Sequence, residues 1–355
     1  MILIHYLDSY TGASRAAMQI LKSKRVDTVI YGKTIAGGFI TDFLKCEKNI
    51  SSIPIDVNKD KSVKTLLKIQ LSIFFKLFKF KKFNKTILLN SINLLAPILY
   101  CIFFNKKSII WIHEQRLNNS LLNFFSKILL KKFKGKFFYS SSFLKKEYNY
   151  EGNVLSPHVN QKFYSCFRKR NSIKNVLMVT SLTEYKGVNM FVQLANKFYY
   201  DNNFKINFIL ILSTNNKIGK AYFESRRINI TKNITLIYSP KNIEEYYNSS
   251  DILLNLTNRD VLIESYGLAI AESLTVGMPV LCPNVGGPLE IMNLGERCGL
   301  FVDERNLEDI EKKLIYLLNN NNIFKKYSSN TYLYRDRFSQ KVFLKNLSNI
   351  LHIHN

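Results

Sequence analysis

The sequence predicts an α/β protein with two doubly wound parallel sheets, one in each of two domains that face each other across a cleft. Two observations predict this class. Short apolar runs typical of buried strands alternate with helical patterns, and the alternation occurs twice along the chain. The chain has 355 residues, enough for two domains of ordinary size, and a hydrophobic content of 46% gives each domain a core. Ligands of such folds bind at the carboxyl ends of the strands.

The first series of elements begins at the amino terminus with a strand at 2–6 and a helix near 13–23. Further strand-like runs lie at 27–31, 52–55, 86–89, 107–112 and 136–140, with helical patterns between most of them. The opening run has no basic segment and is interrupted by His5 and Asp8, so it indicates a buried strand and not a signal peptide. No apolar run is long enough to span a membrane.

The second series of elements begins at the strand-like run 175–180. Strands follow at 206–212, 234–238, 252–256 and 280–281, separated by helices at about 187–199, 242–248, 267–276 and 306–319. A polar, basic stretch at 165–174 separates the two series. We therefore expect a first domain over 1–165, a second over 172–337, and a final segment, 338–355, containing a carboxyl-terminal helix.

The charge of the chain is strongly basic and unevenly distributed. The net charge is +25, and residues 1–165 hold 27 Lys and Arg against 9 Asp and Glu. In the segment 59–85, lysines (Lys64, Lys68, Lys76, Lys79, Lys81, Lys82) interleave with large apolar residues, and a second cluster at 124–136 has the same composition. This pattern favours contact with an anionic membrane surface. The alternative is a core helix with a solvated lysine face.

The five cysteines (Cys46, Cys101, Cys166, Cys282, Cys298) are scattered and odd in number, without the spacing of metal ligands. They indicate reduced thiols in the cytoplasm.

The most informative stretch is 264–290, where Glu264 and Glu272 stand eight positions apart. That distance is a little over two helical turns, so both carboxylates could lie on roughly one helix face. Gly267 and Leu268 stand where the helix would begin, and a helix amino terminus is a ready diphosphate site. Two glutamates at this spacing also occur on ordinary surface helices. The apolar flanks favour the functional interpretation, because buried carboxylates need partners such as ligand hydroxyls.

This stretch resembles the Glu-x7-Glu signature of retaining GT-B glycosyltransferases, most closely glycosyltransferase family 4. The matching residues are Glu264, Gly267, Glu272, Gly277, Pro279, Gly286, Gly287 and Glu290. The resemblance spans nearly the whole chain but is specific mainly in 174–303. It implies a GT-B fold whose carboxyl-terminal helix crosses back onto the first domain.

Other motifs add to the resemblance. The run 179–187 is similar to the family's element with a phosphate-binding lysine, here Lys186, but Ser181 stands where the family has an arginine. Ser239 follows a strand at the place where the family's backbone meets the nucleobase. In the first domain, 10–15 resembles the family's glycine loop, with Gly12 and Arg15.

Two further motifs are weaker. Residues 110–114 resemble a strand that ends in a histidine, His113, close to the transferred sugar; a histidine at a strand end can equally be structural. Residues 156–160 resemble an interdomain element, with substitutions that favour a structural role.

The chemistry of the transfer assigns roles to these residues. Breaking the bond to a nucleoside diphosphate builds negative charge on the phosphate, which Lys186 and the N–H groups of Gly267 and Leu268 can stabilise without a metal ion. Glu264 would orient the sugar hydroxyls and Glu272 would bind the ribose diol. Because Ser181 removes a cation, we expect Arg15 or Arg259 to replace it. The resemblance implies a hexosyl transfer with retention of anomeric configuration.

The sequence thus predicts a cytoplasmic glycosyltransferase, peripheral on the inner face of the cell membrane. Its donor would be a nucleotide sugar, and its acceptor a lipid-linked or oligosaccharide glycan in lipopolysaccharide O-antigen or capsule synthesis. No nucleic acid is expected as a partner. Two alternatives stay open: a basic nucleic-acid-binding α/β protein, and a catalytically weak glycosyltransferase-like scaffold, which Ser181 would explain.

Overall fold

The computed structural model describes residues 1–9, 11–34, 37–57, 63–115, 120–170, 172–201, 204–293 and 295–352. Tyr10 of the predicted glycine loop and residues 59–62 of the basic segment lie outside the described residues, as do the side chains of Lys64 and Leu66.

The chain divides into two compact units. The first comprises Met1–Pro157 and Leu347–Asn355, and the second comprises His158–Asn346. This division precedes the predicted boundary after residue 165, because Val159 and Phe163 are buried in the core of the second unit, where the Phe163 ring packs against Tyr247. The segment between the two series of elements is therefore anchored in the second unit.

The first unit contains seven strands and six helices in the described residues. The strands are β1 (Ile2–His5), β2 (Thr28–Thr34), β3 (Ser51–Val57), β4 (Ile87–Leu89), β5 (Ser108–Ile112), β6 (Lys136–Tyr139) and β7 (Gly152–Val154). The helices are α1 (Gly12–Lys22), α2 (Phe39–Cys46), α3 (Val63–Leu77), α4 (Leu95–Phe103), α5 (Ser120–Lys132) and α6 (Ser142–Tyr148).

The seven strands form one parallel sheet in the order β3-β2-β1-β4-β5-β6-β7. The strand order reverses direction between β1 and β4, where Ile2 pairs with both Thr28 and Ile87. Strands β1, β4 and β5 are buried along their whole length, which is why they read as continuous apolar runs. Strand β7 was not predicted, since its sequence Gly-Asn-Val is short and largely polar for a strand.

Where the structure describes it, the second unit contains six strands, β8 (Asn175–Thr180), β9 (Asn207–Leu212), β10 (Ile234–Tyr238), β11 (Ile252–Leu254), β12 (Val280–Pro283) and β13 (Gly299–Val302). Its helices are α7 (Val188–Asp201), α8 (Asn216–Ser225), α9 (Ile243–Ser249), α10 (Leu268–Thr275), α11 (Gly286–Met292), α12 (Leu307–Asn319) and α13 (Asn321–Asn330). The last helix, α14 (Gln340–His352), begins in the second unit, and its residues from Leu347 onward belong to the first.

The second sheet is also parallel, in the order β10-β9-β8-β11-β12-β13. Its strand order reverses between β8 and β11, where Val176 pairs with Ile252. The predicted class, two Rossmann-like parallel-sheet domains, is confirmed.

A buried arginine, Arg170, fastens the start of the second unit. Its guanidinium is fully buried and donates hydrogen bonds to four backbone carbonyls, those of Arg168, Val276, Tyr247 and Ser250. Burial, and next the charge of Arg168, lower the pKa of Arg170 to about 9. Val276 and Ser250 cap the carboxyl ends of α10 and α9, so the guanidinium lies at the negative ends of two helices.

Candidate functional site

The core of the candidate site is a hydrogen-bonded cluster of Lys186, Thr257 and Glu264 at the carboxyl edge of the second sheet. Lys186 Nζ lies 2.8 Å from Glu264 Oε2. The hydroxyl of Thr257 donates to the same carboxylate oxygen at 2.8 Å and lies 3.4 Å from the lysine nitrogen. Lys186 follows β8 and Thr257 follows β11, so the cluster forms where the strand order reverses, the usual ligand position in such sheets.

Gly187 explains how the two loops come together. Its φ of 78° lies in the left-handed region, and a Cβ at this position would stand 2.2 Å from the carbonyl oxygen of Leu256. Only glycine lets the loop after β8 approach the loop after β11 this closely. The Lys-Gly pair of the sequence therefore places the ammonium of Lys186 against Thr257 and Glu264.

Glu264 is held in its charged form by these neighbours. Burial alone raises the pKa of its carboxyl. The charge of Lys186 and the hydrogen bonds from Lys186, Thr257 and Asn255 outweigh burial, so the pKa lies below its ordinary value. Its side chain keeps 22% of its surface exposed. A carboxylate that is ionised and still reachable can accept hydrogen bonds from ligand hydroxyls.

Helix α10 begins directly after this cluster. Gly267 caps it with a φ of 92°, and the carbonyl of Gly267 accepts the N–H groups of Ile270 and Ala271. The first N–H groups of the helix, at Leu268 and Ala269, have no partner within it and point outward from its positive end. The helix therefore begins four residues after Glu264, the carboxylate that pairs with Lys186.

The glycine pair Gly286 and Gly287 supports the loop that carries Glu264. A Cβ on Gly287 would stand 2.3 Å from the carbonyl oxygen of Tyr266, and one on Gly286 would stand 2.6 Å from that of Glu264. The N–H of Gly287 also donates to the Glu264 carbonyl at 2.8 Å. These contacts hold the backbone of Glu264 in place. They also explain why both positions of the pair are glycine, since a larger residue would collide with that backbone.

Glu272 lies apart from Glu264 in local structure, which corrects one prediction. Glu272 is in α10, whereas Glu264 precedes the helix, so the two carboxylates do not share a helix face. The left-handed Gly267 is the N-cap of α10, so the helix begins between the two glutamates. Glu272 is only 2% exposed, and the hydroxyl of Tyr247 donates to its Oε2 at 2.9 Å.

The two arginines predicted to replace the missing cation differ in their surroundings. Arg259 is committed to Glu304: its guanidinium donates to both carboxylate oxygens at 2.7–3.1 Å, and its backbone N–H donates to Oε1 at 2.9 Å. The carboxylate of Glu304 has no exposed surface. Arg259 is therefore a structural partner of a buried charge. Arg15 lies in the first unit, with its guanidinium 5.2 Å from the centre of the Phe39 ring.

Three further residues predicted for the site have local roles. Ser181 lies 3.4 Å from Thr183 through their hydroxyls. Ser239 adopts a left-handed φ of 43°, and its hydroxyl donates to the Thr214 carbonyl at 3.0 Å. Gly12 begins α1 and would meet no atom within 4 Å if it carried a Cβ, so no packing contact requires glycine there.

The carboxyl edge of the first sheet carries a chain of polar side chains, the buried His5 and Asn90 and the half-buried His113. His5 Nε2 lies 3.0 Å from the Leu7 carbonyl, which can only accept, so this nitrogen carries the proton. His5 Nδ1 then accepts from Asn90 Nδ2 at 2.9 Å, and Asn90 Oδ1 accepts from His113 Nε2 at 3.0 Å. The network leaves Nδ1 of His113 unprotonated.

The two histidines of this hydrogen-bonded network, His5 and His113, are uncharged at neutral pH. Burial lowers the pKa of His5 to about 4, against the opposing charge of Asp8. Burial, and then the charge of His5, lower the pKa of His113 to about 3. The sequence pattern indicated His113 as a site residue but did not indicate His5 and Asn90. The sequence feature that could have indicated them is their position at the carboxyl ends of β1 and β4, where ligands of parallel sheets bind.

The described residues contain no group of three or more His, Cys, Asp and Glu that could hold a metal ion. Within the same residues, no helix is long and apolar enough to cross a bilayer.

Residues 167–334 match the family described as "Glycosyl transferases group 1". A stretch of 62 residues is 37% identical to a sucrose synthase of Melioribacter roseus, covering 18% of this chain and only 8% of that relative.

Solved structures similar to the whole chain include HepE of Anabaena in complex with UDP-glucose, with a TM-score of 0.76, 14% identity and 99% of both chains covered. Another is WaaG, a glycosyltransferase involved in lipopolysaccharide biosynthesis, with a TM-score of 0.71, 13% identity, and 99% of this chain and 100% of that chain covered. A glycosyltransferase from Rickettsia africae has a TM-score of 0.71 at 18% identity, with 99% and 98% covered. The fold is GT-B, and the family match and the fold together support a glycosyltransferase of the GT-B type.

Proposed function

We propose that the protein is a retaining, metal-independent hexosyltransferase of family 4 type, which moves a sugar from a nucleotide-diphosphate donor. The observation that carries the proposal is the Lys186–Thr257–Glu264 cluster beside the amino terminus of α10. It combines one cation, free N–H donors and an ionised carboxylate at the point where the strand order reverses. A diphosphate and a sugar hydroxyl are the groups that such a set would bind. HepE, with the same fold, was crystallised with UDP-glucose.

In this proposal each residue acts on one part of the donor. Lys186 and the N–H groups of Gly267 and Leu268 stabilise the charge that builds on the leaving phosphate. Glu264 orients the sugar hydroxyls, and Glu272 accepts from the ribose diol while Tyr247 holds its carboxylate. The backbone at Ser239 contacts the base. In the first unit, Gly12 lines the substrate loop and Nδ1 of His113 accepts from a hydroxyl of the transferred sugar.

A screen of purified protein against UDP-, GDP-, ADP- and dTDP-sugars, read by donor hydrolysis and by thermal shift, tests the proposal. We expect one donor class to raise the melting temperature, and Lys186→Gln to abolish that shift. Glu264→Gln should lower turnover by at least roughly a hundredfold while the protein stays folded. Exposed Lys325→Gln and Glu224→Gln in the same unit are matched controls. Turnover that survives in both site variants would refute the assignment, and turnover that is lost in EDTA would refute metal independence.

The acceptor that we propose is a lipid-linked glycan in O-antigen or capsule synthesis, reached from the cytoplasmic face of the membrane. An apolar face on the first unit supports it. Helix α3 buries Ile69, Ile73 and Leu77, yet its opposite side exposes 57% of Leu67, 53% of Leu71 and 66% of Phe75. A solvated lysine helix would expose polar residues there. On the exposed side of α3, every fourth residue (Leu67, Leu71 and Phe75) is instead apolar.

This apolar face continues over two neighbouring helices. Helix α4 packs against both α3 and α5. It exposes 45% of Leu99 and 80% of Phe103, and α5 exposes 59% of Phe124 and 50% of Phe125. Exposed lysines lie in or just after α3 and α5, among them Lys68, Lys79, Lys82, Lys127 and Lys131. Apolar side chains ringed by lysines suit the surface of an anionic bilayer.

The membrane surface is tested by sedimentation with vesicles of phosphatidylglycerol and phosphatidylcholine. Replacing Lys68, Lys79 and Lys82 by glutamate should release the protein from the anionic vesicles, as should Leu71→Ser with Phe103→Ser. Lys76 and Lys81 are less informative, since Lys76 donates to the Pro54 carbonyl and Lys81 lies over the Phe104 ring. Equal binding of variants and parent would assign the face to another partner.

A further inference from the structure

A cavity of about 850 Å³ lies in the first unit at the amino-terminal edge of its sheet. Residues just before or at the starts of β1, β4, β5 and β6 line it, together with the carboxyl end of α5. The starts of parallel strands meet at one edge, so this cavity is at the opposite end of the sheet from His5, Asn90 and His113. The proposed transfer reaction gives it no role.

The lining of the cavity is cationic. Among the described residues, the lining includes one arginine and six lysines and no aspartate or glutamate. Two of the lysines are committed: Lys85 pairs with Asp27 at 3.0 Å, and Lys106 donates to the backbone carbonyls of Lys81 and Phe83. The other four, Lys107, Lys132, Lys134 and Lys136, form no ion pair within the described part of the chain.

The cationic groups crowd one another. Burial, and then the charge of Lys107, lower the pKa of Lys136, so these two ammonium groups repel each other. Arg25 also lines the cavity, and its Nη2 donates a hydrogen bond to the hydroxyl of Ser348 in α14 at 2.6 Å. Concentrated positive charge around a concave surface raises the local potential and attracts anions. A multivalent anion would remove the repulsion and satisfy several donors at once.

We infer that this cavity is a binding site for a phosphate-bearing anion with two or more charges, distinct from the candidate donor site of the second unit. The charge count favours a pyrophosphate or bisphosphate group over a single carboxylate, because four lysines are uncompensated. Apolar side chains of Ile102, Ile109 and Phe133 also line the cavity and would contact an uncharged part of the ligand. Such a group belongs either to a soluble metabolite or to a lipid headgroup.

Calorimetric titration of the full-length protein with inorganic pyrophosphate tests the inference. Because pyrophosphate also suits the candidate donor site, the titration is made in a Lys186→Gln background, which removes that site's cation. We expect binding to persist there and to weaken at least tenfold when Lys107→Gln and Lys136→Gln are added. The control replaces exposed Lys145 and Lys146 on α6 by glutamine, which changes the net charge equally outside the cavity.

Vesicle sedimentation provides the second arm and identifies the source of the anion. Pyrophosphate binding that the Lys107 and Lys136 substitutions abolish supports a soluble ligand. Reduced binding to phosphatidylglycerol vesicles by the same variant, without detectable pyrophosphate binding in the Lys186→Gln background, supports a lipid headgroup. If the cavity variant and its control behave alike in both arms, the inference is overturned. Donor hydrolysis by the cavity variant, with Lys186 intact, should match the parent, so failure here leaves the transferase proposal standing.

Discussion

The ion pair between Arg259 and Glu304 gives the sharpest prediction, because it separates a structural role from a catalytic one. In Arg259→Ala, the fully buried carboxylate of Glu304 loses the three guanidinium hydrogen bonds at 2.7–3.1 Å and keeps only the backbone N–H of residue 259. Breaking a buried pair from one side costs about 3–5 kcal/mol. Arg259 is itself 26% exposed, which places the expected loss near the lower limit.

Such a loss is easily measured by thermal denaturation. About 3 kcal/mol corresponds to a fall of roughly 6–12 °C for a domain of 150–250 residues. The double variant Arg259→Met with Glu304→Gln should recover most of it, since it removes the buried charge and keeps an acceptor for the backbone N–H. Arg226→Ala, which breaks the exposed pair with Glu184, is the control and should leave the midpoint unchanged. An unchanged midpoint for Arg259→Ala, with turnover lost, would return Arg259 to the donor site.

Three other predictions follow from the sites. Glu272→Gln should weaken donor binding roughly tenfold, measured by calorimetry, because a charge-assisted hydrogen bond to ribose is lost; unchanged affinity would exclude the ribose role. Arg15→Ala should slow turnover and Ser181→Arg should not, if Arg15 supplies the missing cation; full activity of Arg15→Ala would contradict this. The first unit should lose stability as the pH falls from 6.5 to about 4, about 3 kcal/mol of it through His5, because in that range His5 and His113 are protonated only after unfolding; a flat profile in urea denaturation would contradict both lowered pKa values.

Most of the fold could be predicted because both sheets are parallel and covered on both sides. Strands such as β5 and β9 then read as apolar runs, and the turns between elements carry polar residues. The strands that escaped prediction, β7 and β13, are short sheet edges that begin with glycine. Their pairing depends on neighbours distant in sequence, which a local pattern does not contain.

The candidate site was predictable where its geometry is local. Gly187 and Gly267 adopt left-handed conformations, and each stands next to a residue predicted to act on the donor. The fate of Arg259 was not predictable, because Glu304 is 45 residues away in sequence. The link from His5 to His113 through Asn90 joins three strand ends and likewise required the sheet order.

The position of Arg170 decides at which residue an isolated fragment of the second unit has to begin. Its guanidinium fills the space between the carboxyl ends of α9 and α10, and its backbone N–H donates to the hydroxyl of Ser328 on α13. Helix α9 carries Tyr247 and helix α10 carries Glu272. A fragment starting at residue 172, where the sequence alone would place the second domain, leaves three carbonyls, those of Tyr247, Ser250 and Val276, without the arginine that donates to them. A fragment of the second unit that keeps residues 158–171 retains Arg170 and its hydrogen bonds, so this fragment is the one suited to isolated expression.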